Sequence, residues 1–185
     1  MKNFRRVHLR APLFTEILYE DNGDVLKGSV NNISEGGVLL ENLPHVPEIN
    51  LMPLLIDIPE FPIFSQIAKE KFFNLKTENL EREVIRVRAK IVRTFEAESA
   101  VDAIFVPKIG CEFVKPSSEI QESINHYVEV FAKNMVYLLS LFENGNKKDI
   151  DTIRHIAGFL GYKPQEKLVI LRQKVLHDYQ SLDSL

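Results

Sequence analysis

The sharpest alternation in the chain lies between Glu83 and Phe95, where Ile85, Val87, Ala89 and Ile91 interleave with Arg86, Arg88 and Lys90. A period of two sends the first set to one side of a strand and the second to the other, predicting one core face and one basic, wet face. Residues 12–20 and 24–31 predict two antiparallel strands, because Asn22-Gly23 between them supplies the two positive-φ positions of a tight hairpin turn. Val38-Leu39-Leu40, beyond the NISEGG connection, predicts a third strand. LMPLLIDIP predicts a fourth, with Pro53 confining its early part to an edge or a bulge. Ile109 to Val114 gives a sixth, with Ile109, Cys111 and Phe113 on one side. Six short strands with local connections predict a closed or nearly closed barrel, since closure removes edges that would otherwise invite aggregation.

The period changes at Pro116. Ser117 and Ser118 offer helix caps, with Gln121 three residues after Ser118 as in a capping box. Ile120, Ile124, Tyr127, Val128, Phe131, Met135, Leu138 and Phe142 then fall on one stripe of a long helix ended by Gly145. Two further helices are predicted, Lys147 to Leu160 closed by Gly161, and Pro164 to about Tyr179 with proline in its first position. The apolar stretch FPIFSQIAKEKFFNLKTENLER, between the fourth and fifth strands, predicts a helix near 65–73 covering part of the barrel. The fold class is thus α+β, divided as a barrel with a basic arm and a 60–82 insertion over 1–116, and a helical extension of about three helices over 117–185. The near-heptad spacing of the long helix also suits pairing with a second copy, so a homodimer through residues 117–142 is a further expectation.

Composition narrows the function. A net charge of −3 argues against a general binder of nucleic acid polymers, which needs a basic domain to meet phosphates. One cysteine forms no internal disulfide, and no Cys/His cluster has zinc-ligand spacing, so no metal and no cofactor are called for. No window approaches about 18 uninterrupted apolar residues and no secretory leader is visible, which predicts a cytoplasmic protein without a transmembrane segment. No carboxylate pair and no nucleophile–base arrangement stands out, and an enzyme is not expected.

Against this acidic background the start is basic: Lys2, Arg5, Arg6 and Arg10 occur within ten residues that contain no acid. Pro12 disfavours helix at Ala11, so the arm enters the first strand extended, with Arg6 and Arg10 on one face and roughly 13 Å apart. That separation suits two anionic groups or two purine edges, because a guanidinium grips phosphate or a guanine edge bidentately and also stacks on a purine plane. Asn32-Ile33-Ser34-Glu35-Gly36-Gly37 is the second element. Asn and Ser carry short donors and acceptors close to the backbone, and the paired glycines allow positive φ and close approach of a planar group. The same residues also suit a plain turn.

The order R-R-x-x-x-R, then N-x-S-x-x-G some twenty residues later, resembles the paired signature of PilZ domains over about residues 4–116. The resemblance implies a six-stranded antiparallel barrel followed by a helix. It also implies a receptor that binds the bacterial second messenger cyclic di-GMP, often as a stacked pair, without catalysis. Carried over, Arg6 and Arg10 hold phosphates and guanine edges, Arg5 assists, and Asn32, Ser34, Gly36 and Gly37 line the base pocket. The 60–82 insertion and the helices after about 143 depart from the pattern. Ligand binding would order the arm and change contacts with a protein partner that the sequence does not identify. The alternative is a nucleotide-independent interaction module on the same barrel.

His8 sits between the two arginines and is read as a bystander of the arm. His45, His126, His155 and His177 show no partner pattern, and Cys111 is read as a small core residue.

Overall fold

The computed structural model describes residues 8–98 and 105–182. Six antiparallel strands close into a barrel: β1 (Arg10–Asp21), β2 (Asp24–Ser34), β3 (Gly37–Glu41), β4 (Met52–Pro59), β5 (Arg82–Glu98) and β6 (Phe105–Phe113), in the order β1-β2-β3-β6-β5-β4. Each strand forms where the alternation predicts it. On β5, Ile85, Val87 and Ala89 are buried, and Arg86, Arg88 and Lys90 are exposed. Asp21 pairs with Asp24 around Asn22 (φ 51°) and Gly23 (φ 92°), the two left-handed residues of the expected hairpin turn.

Four α-helices lie among the described residues: α1 (Lys69–Asn74), α2 (Ser118–Asn144), α3 (Ile150–Phe159) and α4 (Leu168–Leu182). Ser117 caps α2, its Oγ accepting from Ile120 N at 3.4 Å, and Gly145 (φ 58°) ends it in the left-handed conformation. The buried face of α2 runs from Ile124 to Leu141 and belongs to one core with the barrel, α3 and α4. The stripe offered above for a second copy is therefore occupied by the chain's own packing.

Two expectations need correction. Pro164 does not open α4, which starts at Leu168; Lys163 to Glu166 form a turn, in which Glu166 N donates to Lys163 O at 3.2 Å. Arg154 holds that turn by donating to the carbonyls of Pro164 and Glu166. The 60–82 segment carries the short helix α1, as expected, but its aromatic contacts are with α2 and α3. Phe64 lies 5.3 Å from Phe159, ring to ring, Phe72 lies 4.7 Å from His155, and Phe61 lies 5.8 Å from Tyr127. Asn134, fully buried within α2, ties this segment down: its Oδ1 accepts from Phe64 N and its Nδ2 donates to Pro62 O, both at 2.9 Å.

Helix α2 also reaches the barrel wall. Tyr127 Oη donates to Pro12 O on β1 at 2.6 Å, and burial pushes the phenol's pKa well up despite the nearby Arg82, so the hydroxyl stays a donor. Among the described residues no helix is long and apolar enough to cross a membrane.

Candidate functional site

The ladder between β1 and β2 decides where the sequence-predicted residues meet. Arg10 pairs with Ser34, Ala11 with Ile33 and Pro12 with Asn32. Directly opposed residues share a face, so Arg10 and Pro12 stand on the same side of the sheet as Ser34 and Asn32. Ala11 and Ile33 point the other way and are fully buried in the core. The arm therefore arrives at the NxSxxG segment as a matter of register.

A bulge sets this aim. The β2–β3 pairing shifts between Val30 and Asn32, which leaves Asn31 as the extra residue. Before it, Gly28 and Val30 face inward; after it, Ile33 does. Without the extra residue the period of two would carry Asn32 into the core. Instead Asn32 Nδ2 donates to Asn31 Oδ1 at 3.0 Å, Asn31 Nδ2 donates to Glu41 Oε2 at 3.2 Å, and Lys108 Nζ meets the same carboxylate at 2.7 Å. This chain of contacts holds Asn32 on the outer wall. Neither Asn31 nor the Glu41–Lys108 pair was singled out from sequence. The signal was present, because Val30 and Ile33 are three residues apart where strand alternation requires two.

Glu35 and Gly36 form the two-residue connection between paired Ser34 and Gly37. Ser34, 6% exposed, donates from Oγ to Gly37 O at 3.2 Å, and Gly36 O accepts from Phe113 N at 3.0 Å. Neither glycine is among those with left-handed φ, contrary to the expectation of positive φ. Gly37 is required by close approach instead: a Cβ there would lie 2.1 Å from Cys111 O on β6. Gly36 leaves room for the arm, since a Cβ on it would lie 3.1 Å from His8 Cδ2. His8 in turn meets Glu35 Oε2 through Nδ1 at 2.9 Å. The residue read as a bystander thus packs on the tip of the glycine turn.

Outward neighbours continue across the barrel. Gly37 pairs with Glu112 and Glu112 with Lys90; Leu39 pairs with Gly110 and Gly110 with Arg93. The wall beside Asn32 and Ser34 is shallow because glycines occupy two of its outward positions, and it carries Arg10, Lys90 and Arg93 together with Glu112, while Lys108 is paired with Glu41. Cys111 lies on the inner side, where burial pushes its thiol up to about 12, as fits a packing residue. Arg5 and Arg6 lie outside the described residues. Among the described residues no group of three or more His, Cys, Asp or Glu side chains could hold a metal ion.

The comparisons with known proteins bear on the same region. The family model described as PilZ domain matches residues 4–130. Similar solved structures include the Bacillus subtilis inhibitor of motility (MotI/DgrA), at 16% identity and TM-score 0.49, covering 67% of this chain and 49% of that one. The PilZ domain of YcgR from Escherichia coli, solved with c-di-GMP, shows 14% identity and TM-score 0.43, covering 67% of this chain and 88% of that one. The K. pneumonia MrkH–c-di-GMP complex shows 16% identity and TM-score 0.43, covering 65% and 49%. The chain thus spans about half the length of the first and third of these proteins. No curated protein sequence matches it. A family match over more than half of the sequence, on a chain that closes six antiparallel strands and is followed by helices, places this protein in the PilZ domain family.

Proposed function

We propose that the chain is a cyclic di-GMP receptor that binds the dinucleotide, without turning it over, at Arg5, Arg6, Arg10, Asn32, Ser34, Gly36 and Gly37. The observation that carries this reading is the register that sets Arg10 directly across from Ser34, with His8 folded onto the Glu35-Gly36 tip. The described end of the arm, His8 to Arg10, lies at the rim of the shallow wall. Guanidinium groups supply forked donors for phosphate and for the O6/N7 edge of guanine, and Asn32 supplies a paired donor and acceptor. Two of the similar proteins are described as bound to c-di-GMP. Ordering of the arm over the ligand would alter the surface offered to a protein partner in the cytoplasm.

Calorimetric titration of the full chain with cyclic di-GMP tests the reading. Arg10→Ala should weaken binding by about 1.5–3 kcal/mol, the contribution of a hydrogen bond to a charged group, or about 10- to 150-fold in Kd. Absence of heat and of any thermal shift with the wild-type chain refutes the receptor. Wild-type affinity in Arg10→Ala refutes the clamp.

A further inference from the structure

Beside the wall, a cavity of about 420 Å³ separates β1 from the C-terminal helices. Its walls are apolar and flat: Pro12 and Phe14 from β1, and Tyr162 from the connection between α3 and α4. Its polar side chains on α4 are Gln173, Lys174, His177 and Asp178. That size falls within the roughly 300–1,000 Å³ of small-molecule sites, and few polar groups on apolar walls is their usual make-up.

Three features point to an occupant. Phe14 is 65% exposed, a large ring held in water beside the cavity. It packs on Gly161, where a Cβ would lie 2.5 Å from Phe14 Cδ2, so the glycine lets the α3–α4 connection close against the ring. Lys174 and Asp178 stand at i and i+4, one turn apart on the same face of α4; the Lys174 ammonium gives one of its three donors to Glu166 Oε1 at 2.5 Å and keeps two for the cavity beside the Asp178 acceptor. Asp178 Oδ2 already accepts from Tyr162 Oη at 2.9 Å and Oδ1 lies 3.3 Å from His177 Nδ1, which fixes the carboxylate while each oxygen keeps a further lone pair. The cavity is also continuous with the wall, because Pro12 pairs with Asn32 and their Cβ atoms stand about 5 Å apart.

Guanine fits this set. Its O6/N7 edge accepts, matching the Lys174 ammonium and the Gln173 amide, and its N1–H and N2–H₂ edge donates, matching Asp178. Its plane suits the rings of Phe14 and Tyr162. We infer that this cavity is a guanine subsite, receiving one base of a cyclic di-GMP whose remainder lies along Arg10, Asn32 and Ser34. This inference rests on the receptor reading above and extends it to α4, which thereby becomes part of the binding site.

The test is titration of the full chain with cyclic di-GMP and, as a base control, cyclic di-AMP, using wild type, Asp178→Asn and the double variant Gln173→Ala/Lys174→Ala. Asp178→Asn keeps an acceptor for Tyr162 but turns an amide N–H₂ toward the donor edge of guanine. Thermal melts of each variant separate loss of binding from loss of fold. Folded variants should bind cyclic di-GMP at least tenfold more weakly or with lower stoichiometry, and Asp178→Asn should narrow the preference over cyclic di-AMP. Wild-type affinity, stoichiometry and preference in both variants, with Arg10→Ala still impaired, overturn the subsite and leave the receptor standing. Absence of binding by the wild-type chain overturns both.

Discussion

Asn134 offers a direct measure of how firmly the 60–82 segment is bound to the helices. Its side chain is fully buried and satisfies two backbone groups far away in sequence, Phe64 N–H and Pro62 C=O, at 2.9 Å each. Asn134→Ala removes both partners. A buried donor or acceptor left unsatisfied costs about 1–3 kcal/mol. Phe64 is buried, so its amide sits at the upper part of that range, while the carbonyl of Pro62, at a part-buried bond, sits lower. The expected loss is therefore about 2–5 kcal/mol, a large share of the 5–15 kcal/mol by which domains are usually stable. Urea denaturation followed by far-ultraviolet circular dichroism reads it as a fall in midpoint at constant m-value. Hydrogen exchange localises it, because protection of the Phe64 amide should fall with the mutation. Asn134→Asp separates the two bonds: the carboxylate still accepts from Phe64 N but has no donor for Pro62 O, and it is charged in the core. It should cost no less than the alanine. A loss below about 0.5 kcal/mol in Asn134→Ala, within the usual range for surface substitutions, with Phe64 still protected, would refute the reasoning.

Other expectations follow from the same geometry. Gly37→Ala would force β3 away from the Cys111 carbonyl, an overpacking cost of about 1–3 kcal/mol, read as a drop of about 2–4 °C in Tm per kcal/mol at this length; an unchanged Tm would show that β3 and β6 part freely. Burial raises the Asp21 pKa, but the contact with His45 and the N–H groups of Ile49 and Glu48 outweigh it, so the net shift is downward. A depressed folded pKa contributes stability above the unfolded value of about 3.9 and loses it as pH falls through the folded value. Tm measured from pH 6 down to pH 2 should accordingly fall less steeply in Asp21→Asn than in wild type, and parallel curves would contradict the assignment. Cys111, with its thiol raised to about 12, should resist iodoacetamide at pH 8 in the native chain and react once urea unfolds it, as mass spectrometry of the adduct would show. Rapid native labelling would count against a buried thiol.

The barrel was legible because strands announce themselves by alternation. Ile85, Val87 and Ala89 fix a face by their spacing alone, and Asn22-Gly23 fixes a turn by its chemistry. Ser117 and Gly145 likewise marked both ends of α2. What escaped depends on partners distant in sequence. Asn134 reads as an ordinary polar residue on a helix until Pro62 and Phe64 fold against it. Pro164 suits a first helical position, yet the Arg154 side chain takes the carbonyls around it and delays α4 by four residues. At the candidate site, the motif residues were singled out by their types and order, but the reason for Gly37 was not legible, because close packing on the Cys111 carbonyl leaves no trace in a local pattern. The outward aim of Asn32 depends on one surplus residue, and such a surplus shows only as a missed beat between Val30 and Ile33.

The seam of the barrel ties the start of β1 to the helices. β1 joins β4 through Ile17 to Tyr19 alone, so the stretch from Arg10 to Glu16 runs past the end of that zipper. Helix α2 acts as the latch there, with the Tyr127 hydroxyl gripping the carbonyl of Pro12, two residues downstream of Arg10. A tug on the entry to β1 is therefore also a tug on the middle of the longest helix, whose far half holds α3, α4 and the Phe64 segment in place.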